Sequence, residues 1–290
     1  MRRPRYGESI RVFYLVAWIG ERKLNPVELT RRFAESYLRC PAGIDHRLTL
    51  IFKGFQNQGQ IAEHSSLFNG IAPSVIEVPD VEQDIGLYRA ALDTSDWDLC
   101  CVFNSYSIIL APGWLASFSR CARDPRVGIV GARGGFESHF SHRLAALKAS
   151  LAPQKLGLQT LRHFAAAARL WAYFPAFPNV GIGTNAFMIR RDVFERVKWP
   201  RNPSRMGAWR FESGRRSLTH QVMGMGLNPV IIGRDGRGYG VSEWPASGTF
   251  GLKEQENLLV GDNHSIDYST SSPERRRQLA ALNWGNHAAE

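Results

Sequence analysis

Short apolar runs alternate with amphipathic stretches along the first 131 residues, and that alternation admits few folds. Residues 10–19, 47–52, 74–78, 98–103 and 127–130 read as strands, being rich in β-branched, aromatic or other apolar side chains. Residues 99–103, Leu-Cys-Cys-Val-Phe, are apolar without interruption, as a strand buried on both faces must be. Between the strands, 27–38 carries helical apolar spacing at Val27, Leu29, Phe33 and Tyr37 behind Pro26. A short helix fits 61–68, another fits 85–92, and a third opens at Pro112 and runs through Cys121. Strands and helices alternating at this length predict an α/β fold, a mostly parallel sheet with helices on both faces. Such sheets bind ligands beyond the carboxyl ends of their strands. That directs attention to 18–20, 53–54, 78–84 and 104–107.

The second half has a different texture. After Glu137 no acidic residue occurs until Asp192, while Arg143, Lys148, Lys155, Arg162, Arg169 and Arg190 accumulate. Residues 144–151 and 158–173 read as amphipathic helices, and a Pro/Gly-rich loop follows over 174–183. A strand is expected at 186–189, a short helix at 192–197 and a strand within 228–233. Residues 207–221 are polar, and beyond Gly236 the chain is loop-like up to a last helix near 274–282. The expected organisation is one domain in two functional halves, 1–131 and 132–290.

Composition narrows the classes. Of 290 residues, 44% are hydrophobic and 21% charged, enough apolar material for a sizeable core. The net charge of +10 favours an anionic partner: a nucleotide diphosphate, a lipid pyrophosphate or an anionic membrane face. Nucleic acid is disfavoured, because Lys and Arg are dispersed and no helix-turn-helix, zinc-finger or RNP word occurs. No Gly-x-x-x-x-Gly-Lys word is present, and Gly181-Ile182-Gly183 opens no GxGxxG unit, so P-loop and dinucleotide chemistry are disfavoured too. Cys40, Cys100, Cys101 and Cys121 form no zinc-type spacing. No apolar run is long enough to span a bilayer, and a reducing cytoplasm is the expected location.

Several words then recur in a shared order. Asp84-Ile85-Gly86 with Ala90, the strand 98–103, Pro112-Gly113-Trp114-Leu115 and Asp124-Pro125-Arg126-Val127-Gly128-Ile129-Val130-Gly131 follow one another, and Gly183 to Arg191 and Phe211-Glu212 come after. In this order they resemble the large inverting family of GT-A glycosyltransferases known as family 2. The resemblance covers roughly the first two-thirds of the chain. It implies a GT-A-like, Rossmann-related fold and transfer of a sugar from a nucleotide-sugar donor to a glycan or lipid-linked acceptor, as in surface polysaccharide synthesis. An enzyme with a lipid-linked acceptor would work at the inner face of the membrane and touch anionic lipid weakly. The departure from the family is chemical. Where the family has Asp-x-Asp, which holds a divalent cation against the pyrophosphate, this chain reads Asn104-Ser105-Tyr106-Ser107. Three outcomes stay open: transfer without metal, with arginines on the leaving diphosphate; Mg²⁺ or Mn²⁺ held elsewhere, for instance by Asp80 or Asp84; or a non-catalytic carbohydrate- or nucleotide-binding module. No metal ligand is assigned.

The resemblance makes Glu212 the general base. Arg210, Arg215 and Arg216 nearby favour its ionised form, and a salt-bridged surface carboxylate is the alternative. Asp235, between Arg234 and Gly236, is the second candidate base or a turn aspartate. Trp18, Asp84, Arg89, Asn104, Ser105 and Arg234 are the candidate nucleotide-sugar contacts. Trp18 could equally be core, and Asp84 could cap the helix after it. Asn185, Trp244 and His264 are the candidate acceptor contacts, His264 being also a possible ligand for metal or diphosphate. If Asn104 and Ser105 stand in for the cation ligands, EDTA should leave nucleotide affinity, measured by titration calorimetry, nearly unchanged. Strong loss on chelation, restored by Mn²⁺ or Mg²⁺, would reveal a metal site outside that segment.

Overall fold

The structure, a computed structural model, describes residues 9–17, 25–55, 57–79, 85–94, 97–150, 168–200 and 204–285. The expected strands form: β1 (Ile10–Ala17), β2 (Arg47–Lys53), β3 (Ser74–Val78), β4 (Leu99–Phe103), β6 (Val127–Gly131), β9 (Ala186–Arg190) and β10 (Asn228–Ile232). With β11 (Gly238–Tyr239) they make one eight-stranded sheet in the order β11-β10-β6-β9-β4-β1-β2-β3. Strand β1 pairs in parallel with both β2 and β4, so the strand order reverses between β1 and β4. Strand β9 is antiparallel to both of its neighbours, β4 and β6, and β11 is antiparallel to β10. The chain is thus α/β with a mostly parallel sheet flanked by helices. Because β9 comes from the second half of the sequence and lies between two strands of the first, the two halves share this sheet.

The uninterrupted apolar run of β4 has its expected cause. Leu99, Cys101 and Phe103 enter the core on one face of the sheet, and Cys100 and Val102 the core on the other. On the first face lie α1 (Pro26–Arg39), α2 (Gln58–Ser66) and α4 (Trp114–Ala122). Helix α1 begins where Asn25 accepts from Val27 N and Pro26 sits in the first turn. Its Phe33 stacks on Tyr14 at 3.9 Å and meets Tyr37, Phe68 and Phe103. The opposite face carries α3 (Ile85–Asp93), α6 (Arg191–Phe194), α7 (Arg205–Ser213) and α8 (Leu218–Gly224). Helix α5 (His139–Ser150) lies in the chain between β7 (Gly134–Gly135) and its antiparallel partner β8 (Gly181–Ile182). A second small pair joins β5 (Ile108–Ile109) to β12 (Val260–Gly261).

Three expectations are corrected. Helix α5 begins five residues before the amphipathic stretch at 144–151. The polar segment 207–221 holds two helices, α7 and α8, each opened by a serine: Ser204 Oγ accepts from Gly207 N, and Ser217 Oγ from His220 N. Few apolar residues per turn, Ala208 and Phe211 in one and Leu218 and Val222 in the other, suffice to bury them. Between Gly236 and the expected last helix, which forms as α10 (Pro273–Trp284), the chain is a built segment with a 3-10 turn (Val241–Ala246) and α9 (Asn263–Thr270). Of the stretch 158–173, only 168–173 falls within the described residues, and it is helical.

The arginine pair that ends the family-like segment is structural. Arg190 Nη1 donates to the carbonyls of Ala122, Asp124 and Val127. Arg191 donates to Thr94 O and Leu92 O and lies over Trp97. Both tie off the carbonyl ends of helices on either side of the sheet. All four cysteines are free, and burial raises the thiol pKa of Cys100 and Cys101, which keeps both protonated.

A buried histidine makes stability depend on pH. His64 Nδ1 lies 2.8 Å from Thr30 Oγ1, with Phe52 and Phe55 against the ring. Burial lowers its pKa, against the weaker opposing charge of Glu63. A folded pKa below the unfolded value of about 6.5 means that the unfolded chain binds the proton more readily. Stability should therefore be complete above pH ~6.5 and decline as pH falls below it. Urea denaturation at pH 7 and pH 5 should show the decline in the native chain and a shallower one in His64→Asn.

Candidate functional site

The carboxyl edge of the sheet is where candidate residues converge, next to the point where strand order reverses. Strand β4 ends at Phe103 and the chain turns at once. Asn104 Oδ1 accepts from Tyr106 N at 3.0 Å and lies 3.1 Å from the Ser107 hydroxyl, so the side chain folds its own loop into an Asx turn. Antiparallel β9 begins beside it. Asn185 O, one residue before β9, accepts from Asn104 N and lies 2.6 Å from Ser107 Oγ. Ser105 is buried, and its carbonyl accepts from the Tyr14 hydroxyl. Asn104, Ser105 and Asn185 are thus brought into one cluster.

Asn185 is 1% exposed, and neither its Oδ1 nor its Nδ2 has a hydrogen-bond partner. Buried amides are almost always paired, so this cluster holds an open donor and an open acceptor beneath its surface.

The same edge holds a charged pair. Arg133 follows β6 by two residues, and its Nη1 lies 3.1 Å from Asp262 Oδ2. Asp262 is 1% exposed and caps α9, its Oδ1 accepting from Ser265 N at 2.9 Å. It follows β12, whose Gly261 pairs with Ile108, so Asp262 stands beside the Asn104–Ser107 turn. The contact with Arg133 is not an aligned hydrogen bond, since Oδ2 has no hydrogen-bond partner. One nitrogen of the guanidinium is anchored and the rest of the fork is uncommitted. Phe250 lies under the guanidinium at 4.6 Å, and the space that a Cβ on Gly183 would fill is taken by Arg133 Cγ and Nε at 2.5 Å. Phe250 and the absent side chain of Gly183 thereby set where the cation points.

His264, in the first turn of α9, has its pKa lowered, first by desolvation and then by Arg133, against Asp262, Glu137 and Asp267. Arg234 reaches the edge from β10, donating through Nη2 to Leu110 O at 3.1 Å, next to the β5–β12 pair. Arg133 thus stands at the Asp262 end of the β5–β12 pair and Arg234 at its Leu110 end.

Other candidates lie elsewhere. Glu212 is half-buried on α7, whose Phe211 packs on Tyr88 and Trp199. Ser213 O, the next residue's carbonyl, accepts from Asn179 Nδ2, which also donates to Glu137 O. That amide ties the end of α7 to the loop that follows Arg133. Arg89 Nη2 donates to Pro200 O. Asp235 is a turn aspartate: Oδ1 accepts from Arg237 N, and Oδ2 from the Tyr239 hydroxyl at 2.6 Å. Trp244 is corrected outright. It is fully buried, stacks on Phe136 and donates its indole N–H to Tyr239 O, so it offers no face to an acceptor. Trp18 and Asp84 lie outside the described residues.

Arg133 escaped the reading of the sequence. The carboxyl end of the strand at 127–130 was as good a place to look as the end of 98–103, and Gly131-Ala132-Arg133-Gly134-Gly135 puts a cation there among glycines. Its anchor could not be foreseen, because Asp262 is 129 residues away along the chain.

Among the described residues no group of three His, Cys, Asp or Glu side chains could hold a metal ion. Asn104 is neutral and its oxygen is occupied by its own turn. A cavity of about 1290 Å³ lies elsewhere, lined in part by Phe136, Val230, Val241, Leu252 and Tyr268, and none of the candidate residues borders it.

No protein-family model matches the chain, and no curated protein matches it. Solved structures do match in part. Glucosyl-3-phosphoglycerate synthase from Mycobacterium tuberculosis, in complex with Mn²⁺, uridine diphosphate and phosphoglyceric acid, is 14% identical over 70% of this chain and 66% of its own, with a TM-score of 0.40. Mouse xyloside xylosyltransferase 1 is 11% identical over 75% and 82%, with a TM-score of 0.41. A 4-diphosphocytidyl-2C-methyl-D-erythritol synthase from Anaerococcus prevotii is 10% identical over 70% and 83%, with a TM-score of 0.41. These likenesses are partial, and the chain's own residues carry the functional reading.

The buried carboxylate makes the charged pair testable. Arg133→Met would strand Asp262, and leaving one partner of a buried pair alone should lower stability by about 3 kcal/mol in urea denaturation. Adding Asp262→Asn, which keeps the cap and removes the charge, should restore most of the loss.

Proposed function

We propose that the chain is a glycosyltransferase that moves a sugar from a nucleotide-sugar donor to a glycan or lipid-linked acceptor in surface polysaccharide synthesis. The observation that supports this is the carboxyl edge itself: the Asn104 turn and Asn185 meet there, and Arg133 and Arg234 stand at the two ends of the adjoining β5–β12 pair. Cations are what a departing nucleotide diphosphate requires, and amides are what sugar and ribose hydroxyls bond. The order of family-like segments in the sequence supports the same reading.

In this reading the donor lies over residues of the 1–131 half, with Arg133 and Arg234 on its diphosphate, and the acceptor lies over the remainder of 132–290. Glu212 takes the proton of the acceptor hydroxyl as the oxygen attacks the anomeric carbon. The bond from that carbon to the diphosphate oxygen breaks, and the electron pair leaves with the diphosphate. Attack opposite the leaving group inverts the anomeric centre. The Arg133 fork, uncommitted beyond its contact with Asp262, stabilises the charge that develops on the leaving oxygen, and no metal is needed for that step. The protein works at the inner face of the membrane, where a lipid-linked acceptor would be met. One observation favours a second reading, a non-catalytic nucleotide- or carbohydrate-binding module: the family's cation-binding carboxylates are replaced by an asparagine that holds its own turn.

Transfer and hydrolysis assays with UDP-, GDP- and dTDP-sugars separate the two readings. Product formation with one donor is expected, and nucleotide binding without turnover on any donor would favour the module. With the active donor, Glu212→Gln should lower turnover by ~10²–10⁴-fold with donor affinity little changed. Asp235→Asn should leave turnover nearly intact, since its carboxylate serves the turn around Gly236. The reverse outcome would make Asp235 the base.

A further inference from the structure

One face of the molecule combines exposed tryptophan with arginine. Trp171, in the helical stretch 168–173, is 60% exposed, and Trp209 on α7 is 39% exposed. They belong to one patch. Arg215 lies over the Trp171 ring and donates to Trp171 O, while Arg215 N donates to Tyr173 O. Arg210 lies over Tyr173 at 4.1 Å, and Arg205 lies over Trp209. His139, at the start of α5, stacks on Trp209 and touches Phe174 edge-on. Arg205, Arg210, Arg215 and Arg216 are all exposed here, and the acidic residue among them on α7 and the turn after it, Glu212, is half-buried. The start of α5 and residues 168–174, which supply the other side of the patch, contain no acidic residue.

We infer that this face, built from the start of α5, residues 168–173, α7 and the turn after it, docks on an anionic lipid bilayer. Tryptophan prefers the headgroup level of a bilayer, where an apolar ring and a polar N–H are both accommodated. Arginines beside it are drawn to the negative surface potential of anionic lipid. Single-stranded nucleic acid would bind such a patch by stacking bases on ring faces. Here the Trp209 ring is already covered by His139 and Arg205, and Arg215 covers Trp171, which favours insertion of indole edges over base stacking. A protein partner would have to bury several arginines, among which this chain sets the half-buried Glu212 and, just before α5, Glu137.

The patch borders the carboxyl edge of the sheet. Asn179, which ties the end of α7 to Glu137 O, joins its rim to the loop that carries Arg133. Docking through this face would hold the edge of the sheet close to the lipid surface, where a lipid-linked acceptor presents its headgroup. The inference stands on the patch itself and does not need the transferase reading.

Sedimentation of the full chain with phosphatidylcholine vesicles, and with vesicles of phosphatidylcholine mixed with phosphatidylglycerol, tests it. Binding to the anionic vesicles alone is expected, with a blue shift of tryptophan emission that Trp171→Ala diminishes. Arg205→Glu and Arg216→Glu should each weaken binding by about fivefold or more, as removal of a basic residue near an anionic surface does. Arg39→Glu makes the same change of charge at the end of α1, on the opposite face of the sheet, and should leave binding unchanged. Circular dichroism would confirm that each variant is folded. Equal sedimentation with both vesicle types, or equal loss in Arg39→Glu, would overturn the inference. So would binding of a single-stranded oligonucleotide that the patch variants abolish, if no vesicle binds. Vesicle binding by a chain that transfers no sugar would leave this inference standing and remove the transferase reading.

Discussion

Strand β9 organises the carboxyl edge of this sheet. It enters antiparallel between β4 and β6, so its first residues meet the last residues of both neighbours: Ala186 stands opposite Phe103, and Phe187 opposite Gly131. One short segment therefore handles both ends. Asn185 O receives Asn104 N and the Ser107 hydroxyl on one side, and Ala186 O receives Ala132 N on the other. The Asn104 turn, the Asn185 amide and the backbone leading to Arg133 are all set by that insertion. A parallel strand in the same place would bring its carboxyl end here and carry Asn185 to the other side of the sheet.

The second constraint comes from the end of the chain. Trp244 stacks on Phe136 and Trp284 meets the same ring edge-on, with centroids 5.9 and 5.5 Å apart. Each such pair adds about 1 kcal/mol to the area that it buries. Trp284 Nε1 also donates to Phe250 O, and the backbone N–H of Phe136 donates to Asn283 O. This aromatic cluster pins the loop after β6 to the C-terminal segment. Phe250 and Asp262, which hold the two sides of Arg133, belong to that segment. The cation is thus positioned by packing more than 100 residues distant in sequence, and its one anchored nitrogen restrains it without consuming its donors.

Sheet edge and arginine-rich face have a common logic. Both carry arginine: Arg133 and Arg234 near the edge, and Arg205, Arg210, Arg215 and Arg216 on the face. The opposite side, around α1, mixes signs: Glu28 pairs with Arg31 and Arg32. An anionic substrate and an anionic surface would be drawn to neighbouring parts of one face.

Most of the sheet was legible in the sequence because its strands are buried on both faces, and burial of that kind leaves an unbroken apolar signature, as in 99–103. The edge at Asn104 was legible for the same reason, since it directly follows such a strand. Helices α7 and α8 were not legible: each buries only two apolar side chains and opens at a capping serine, and neither makes a strong period. Trp244 was misread because an aromatic in a polar-looking loop has no local mark of burial, and only Phe136 and the fold around it decide that the ring is inside. The sequence by itself determined the alternation of elements, and hence the class of sheet and the edge at which chemistry collects. Tertiary structure alone decided the direction of β9 and the meeting of Arg133 with Asp262, because strand pairing and ion pairing between distant segments depend on geometry that no local run of residues encodes.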